Sequence, residues 1–217
     1  MPAVAVKEPY TLVLREDNDI QNPREDMDTF GTMVCFHSRY NLGDAHDYTN
    51  PEDFLRDLAR DTIPAKDICD FSIAEKAENV ELKYDLDSGQ WDVISFYTDD
   101  WHIVQSFEGG LAGQEEIVAD ALLDEMGTAA LLRLAGLESV ILPLCLYDHS
   151  GLSMSTEPFS GRAQHADWDS GQVGWIHCKK EFGSEVDEIE MLEAEVAYYD
   201  AYLRGECYGF QLYEHGE

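Results

Sequence analysis

From Tyr84 to Leu132 the chain has no lysine and no arginine, while eleven aspartates and glutamates fall in the same stretch. The shortage of cations is general: 14 basic residues stand against 45 acidic ones, a formal net charge of −31. Nucleic-acid backbones and anionic lipid surfaces draw basic faces, so this balance argues against direct nucleic-acid binding and against membrane association. The expected partners are themselves basic.

Other absences narrow the field further. The five cysteines, Cys35, Cys69, Cys145, Cys178 and Cys207, include no C-x-x-C pair and are odd in number, which predicts reduced, mostly buried thiols. The opening MPAVAVKEPY lacks the apolar core of a signal peptide, and no later window reaches the length of a spanning helix, so a cytoplasmic location is expected. No P-loop, calcium loop, metalloprotease helix or nucleophile elbow is present, and neither a cofactor nor a metal is expected.

What is present is foldable. With 217 residues, 44% hydrophobic and 11% aromatic, the chain can bury a core despite its charge. Runs rich in β-branched and aromatic residues predict strands at Tyr10–Leu14, Thr32–Phe36, Val80–Tyr84, Trp91–Tyr97, Trp101–Phe107, Val140–Tyr147, Val173–Cys178 and Cys207–Tyr213. Turn chemistry at Asp87-Ser88-Gly89-Gln90 and the short Thr98-Asp99-Asp100 link make the middle three a meander. The four tryptophans read as core and cross-strand partners, since base stacking would lack a basic groove.

Helices are marked by their ends. Asn50 and Pro51 open one that stops before Pro64, and a second begins near Gln114, breaks at Gly127 and ends at Gly136. In the third, a capping box of Ser184 and Asp187 precedes a stripe of Ile189, Leu192, Val196, Tyr199 and Leu203, with acidic residues on the remaining faces. Asp148–Gln172 reads as one long irregular loop. The fold class predicted is α+β, a single domain over residues 1–217 with a mainly antiparallel sheet flanked by acidic helices.

Charge carries the functional argument. At one charge per ~1.7 Å of duplex, 31 charges match about 53 Å of DNA, while the globule's radius of gyration is about 17 Å. The chain thus holds enough charge to imitate a length of DNA comparable to itself. Candidate contacts are Glu185, Glu188, Glu190, Glu193 and Glu195 on the last helix and Asp120, Asp124 and Glu125 on the middle one. The acidic clusters Asp17–Asp28 and Asp44–Asp61 lack calcium-loop register and read as solvated faces. Gly109–Gly113 precedes a helix, but Glu115 and Glu116 would repel a phosphate there. A salt-adapted acidic interaction protein shares the same composition.

One cluster looks chemical: Asp148 and His149, followed by His165 and Asp169. Histidines beside carboxylates suit general acid–base work or metal assistance, while Asp, Ser and Gly are equally the residues of turns.

The strings NPRED (22–26), MVCFHSRYNLGD (33–44), LPLCLYDHSG (142–151), WDSGQVG (168–174) and YLRGECYGF (202–210) resemble a family of proteins carried by phages and prophages. The resemblance spans most of the chain, with extra loop at Gly161–Ala166, and it brings no established catalytic residues. It implies action inside a bacterial host. Together with the acidity, which is similar to that of anti-CRISPR and anti-restriction inhibitors, it predicts a DNA mimic. Its expected partner is a basic DNA-binding complex of host immunity, either a CRISPR surveillance complex or a restriction enzyme.

Overall fold

Alternating apolar and polar residues build ten strands, and capped amphipathic segments build seven helices, in a computed structural model that describes residues 3–17, 20–74, 76–181 and 185–215. In chain order the elements are β1 (Ala3–Lys7), β2 (Tyr10–Glu16), α1 (Pro23–Asp26), β3 (Thr32–Cys35), α2 (Pro51–Thr62), α3 (Ala65–Ile73), β4 (Val80–Asp85), β5 (Gln90–Tyr97) and β6 (Asp100–Glu108). They continue with α4 (Glu115–Glu125), α5 (Thr128–Ala135), β7 (Ser139–Asp148), β8 (Leu152–Ser155), α6 (Ala166–Asp169), β9 (Ser170–Lys179), α7 (Glu185–Leu203) and β10 (Tyr208–Glu214). The protein is α+β, and its strands form three sheets ordered β1-β2-β10, β3-β9-β7-β8 and β4-β5-β6. The described residues divide into two compact units, one from 1–45, 142–178 and 184–217, the other from 46–141 and 179–183.

In the first unit α7 lies against β8, and its inner stripe of Leu192, Val196 and Tyr199 is buried, as are Met33, Leu144, Met154 and Ile176. Gly174, the last residue of the WDSGQVG string, pairs with Cys35 across the β3–β9 ladder. A Cβ there would fall 1.9 Å from the Val34 carbonyl oxygen, so only glycine lets the strands approach. Gly43 takes φ +72°, and its N–H donates to the Tyr199 hydroxyl at 3.1 Å, tying a turn to α7.

In the second unit β4, β5 and β6 form the expected antiparallel meander, with α3 and α4 against it and α2 against α5. Its first turn is held by Asp85, whose carboxylate accepts from Ser88 Oγ at 2.6 Å and the Asp87 N–H at 2.9 Å, with Gly89 at φ +70°. The second turn places Thr98 and Asp99 at φ +53° and +65°, the two-residue left-handed geometry of a tight hairpin. The Asn50 side chain caps α2 by accepting from the Asp53 N–H at 2.9 Å. Ile68, Val80, Leu82, Val93, Val118, Leu122 and Leu131 are buried here.

Three expectations change. Asp148–Gln172 contains β8, α6 and the start of β9, because Leu152 and Met154 alternate with serines and Met154 is buried. The outer faces of α7 are not purely acidic: Val186, Met191 and Tyr198 are exposed among the carboxylates. Trp168 is 90% exposed rather than a core residue, while Trp91, Trp101 and Trp175 do pair with Tyr84, Phe96 and Phe36. The capping-box residue Ser184 lies outside the described residues, as do Asn18 and Asp19 of the Asp17–Asp28 cluster.

Candidate functional site: acidic faces and a histidine cluster

The cations of this protein are largely spent inside it. Arg24, Arg39, Arg56, Arg60, Lys66, Lys83, Arg133, Arg162 and Arg204 each hold a carboxylate of the same chain. With 45 acids to 14 bases, this pairing leaves the excess of carboxylates to face outward.

The candidate contacts divide accordingly. On α7, Glu185, Glu190 and Glu193 are exposed, together with Asp187. Helical spacing sets Val186, Glu190, Glu193 and Ala197 along one outer ridge and Asp187, Met191, Ala194 and Tyr198 along the next. Glu188 is 1% exposed and belongs to the inner face. Glu195 is turned inward, where its Oε2 accepts from the backbone N–H groups of Phe30 at 3.1 Å and Gly31 at 2.9 Å.

Glu195 and Asp44 together clasp Arg24, whose side chain is only 2% exposed. Arg24 Nε and Nη2 donate to the two oxygens of Asp44 at 2.7 and 2.6 Å, Nη2 also donates to the Gly31 carbonyl at 2.8 Å, and Nη1 donates to Glu195. Asp44 in turn accepts from the Met33 N–H at 2.8 Å. Burial works to lower the Arg24 pKa, and the hydrogen bonds it donates to Asp44 and Glu195, with the charges of those carboxylates, outweigh it, leaving the guanidinium more firmly protonated than usual. Arg24 and Glu195 also line an apolar cavity of about 330 Å³ with Met27, Phe30 and Tyr198.

On α4, Asp120 and Asp124 are exposed but engaged. Arg60 Nε donates to Asp120 at 2.9 Å while Nη1 reaches Asp57 at 3.1 Å; Arg56 lies 3.3 Å from Asp124 and 3.1 Å from Asp53. Each arginine thus bridges a carboxylate of α2 to one of α4, and Glu125 beside them is half-buried. At the start of α4, Glu115 accepts from the Gly113 N–H at 2.6 Å, so the protein's own carboxylate takes the place an anion would occupy.

The histidine cluster is assembled by the turn after β7 and by α6. His149 Nδ1 lies 2.8 Å from Asp169 Oδ2. The carboxylate accepts, so Nδ1 carries the proton of the neutral ring and Nε2 offers a lone pair. His165 sits 5.6 Å from His149 between ring centroids and adopts φ +58°, a left-handed conformation uncommon outside glycine. Asp148 turns away from this pair, accepting from Arg39 Nη2 at 2.6 Å and the Tyr40 hydroxyl at 3.2 Å. The four residues named from sequence therefore fall into two separate arrangements, Asp148 with Arg39, and His149 with Asp169 and the ring of His165. A cavity of about 320 Å³ nearby is lined by Cys145, Phe159, Asp167 and Ser170. Among the described residues no group of three His, Cys, Asp or Glu side chains is gathered as metal ligands.

Arg24, Arg39 and Tyr40 were missed by sequence reasoning. Arg24 carried a signal, since a lone arginine in an acidic run has no competitor for the carboxylates around it. No helix among the described residues is long and apolar enough to cross a membrane. Compared with known proteins, the chain matches no family model, no curated protein and no solved structure.

Proposed function

We propose that this protein is a polyanion mimic that occupies the basic DNA-binding surface of a bacterial defence complex. The observation that carries the reading is the outer face of α7. Asp187, Glu190 and Glu193 are exposed along it within six helical rises, about 9 Å, or one carboxylate per ~3–4.5 Å, and Glu185 is exposed at the helix start. A DNA strand carries one phosphate per ~3.4 Å. Met191 and Tyr198 emerge between and beyond these charges, the residue types that anchor protein interfaces. Carboxylates supply steering and attraction to Lys and Arg, and the two apolar side chains supply the desolvated contact.

The phage resemblance supplies the biological setting, a CRISPR surveillance complex or a restriction enzyme. No chemistry is needed for inhibition by occupancy. The test is recovery of such a complex on the tagged protein from nuclease-treated lysate of a host expressing both systems, with washes at low and then moderate salt. Salt-sensitive recovery that duplex DNA reverses supports mimicry. A partner whose affinity is the same at low and high salt overturns it.

A second reading, an acid–base enzyme, is favoured by the 2.8 Å contact of His149 with Asp169, which orients the ring as a general base. It predicts a hydrolytic activity lost in both His149→Ala and Asp169→Asn. A metal-assisted version predicts bound metal in the purified protein that disappears on replacing His149.

A further inference from the structure

Among the described residues, the β1-β2-β10 sheet is the one sheet with no buried residue: every position in its three strands is exposed or half-exposed. Register fixes which side chains share a face. Ala3, Leu14 and Phe210 lie in one row, Ala5, Leu12 and Leu212 in the next on that side, and Lys7, Tyr10 and Glu214 close its end. Phe210 is 71% and Leu212 60% exposed. Three strands stand independently only when such a face is covered.

We propose that this face binds the same face of a second copy, forming a two-fold symmetric dimer. Two features of the sheet select that occupant. First, in a chain of net charge −31 the three strands carry Lys7 and Arg15 against Glu16 and Glu214, so two copies meet here without the repulsion that the rest of the surface imposes. Second, the face is self-complementary. A two-fold axis running along β2, between the sheets, sets β2 over its counterpart and β1 over the partner's β10, keeping the rows in step. Ala3 then meets the second copy's Phe210, Ala5 meets Leu212, and Lys7 meets Glu214, each contact occurring twice. Small residues oppose large ones and the cation opposes the anion. Aligned sheet packing, with strands within about 30° of one another, accommodates the arrangement.

Three strands at ~4.8 Å and seven residues at ~3.4 Å give a footprint of about 340 Å² per copy, roughly 700–1,000 Å² in total with side-chain relief. That sits at the low end for specific association, so the dimer is weak, with dissociation in the micromolar range or above. Salt strengthens it, because screening the global repulsion outweighs the loss at one exposed ion pair. This is opposite in sign to the salt dependence of polyanion mimicry, so the two readings fail separately.

The experiment is sedimentation equilibrium of the full chain from low micromolar to submillimolar concentration, at low and high salt, with far-UV circular dichroism and thermal unfolding as fold controls. The wild type is expected to dimerise more tightly at high salt. Leu212→Glu should weaken the dimer about 100-fold or more, since the lost contact is counted twice. Lys7→Glu and Glu214→Lys should each weaken it several-fold, and the double exchange should restore it. The double exchange leaves the apolar centre untouched, so the test does not depend on how Leu212→Glu folds. A chain that stays monomeric at every concentration overturns the proposal, as does a dimer indifferent to Leu212→Glu or single exchanges that the double exchange fails to rescue.

Discussion

Arg24 donates to Glu195 across 171 residues of sequence, joining the NPRED segment to the middle of α7. This contact turns one of the most acidic-looking positions of the chain into a structural one. It also helps explain how a helix with seven carboxylates holds its place: Glu195 is satisfied by Arg24 and by two backbone N–H groups, and Asp200 by Ser153 Oγ at 2.8 Å and the Met154 N–H at 2.7 Å.

Replacing Arg24 by methionine leaves Asp44 and Glu195 without their counter-charge in a site where the arginine side chain is 2% exposed. Loss of one partner of a buried pair costs about 3–5 kcal/mol. Urea unfolding should show a loss of that size, whereas Lys66→Met, which removes an exposed pair with Asp70, should leave the unfolding midpoint nearly unchanged.

Charge reversal should separate binding carboxylates from structural ones. Glu190→Lys with Glu193→Lys, both on the outer face of α7, should weaken capture of the defence complex and lower its salt slope by about two. Asp120→Asn and Asp124→Asn should have less effect on capture, because Arg60 and Arg56 already engage those side chains. Competition titrations against duplex DNA at two salt concentrations measure both quantities.

His177 lies on β9, and burial, opposed by the nearby Asp44 charge, depresses its pKa below the ordinary 6.5. The neutral ring is favoured in the folded state, so the unfolded chain takes up the proton first. Stability from this group is therefore complete above pH 6.5 and is lost as pH falls through the depressed folded value. Urea midpoints at pH 7, 6 and 5 should fall more steeply in the wild type than in His177→Gln.

The cysteines should differ sharply in reactivity. Burial, followed by the Asp44 charge, pushes the Cys35 thiol up to about 12, and burial raises Cys69 to about 11. Cys207 is the one that is not buried. A thiol reagent at pH 8 should modify Cys207 in the native protein and reach the others only after denaturation. The raised Cys35 value also works on stability, which is fully present below pH 9 and declines as pH rises toward 12.

Much of the fold was legible in local pattern. Alternation located eight of the strands, Asn50-Pro51 marked the start of α2, and Gly127 separated α4 from α5, because these signals depend on neighbours within a few residues. β1 and β8 were not, since Ala3–Lys7 and Leu152–Ser155 are short and become strands by pairing with β2 and β7. The same limit divides the candidate site. His149 and Asp169 were named from sequence, but their 2.8 Å contact depends on how the intervening β8 and α6 fold the loop back, and the separate engagement of Asp148 by Arg39 depends on segments more than a hundred residues apart meeting in space.

The sequence by itself determined the sign and size of the charge, the α+β class and the absence of any long apolar helix, because composition and short-range periodicity decide these. Only the tertiary structure decided which carboxylates face outward. Glu190 and Glu195 look alike in a string of acidic residues, and the difference between them is that α7 turns one toward solvent and the other toward Arg24.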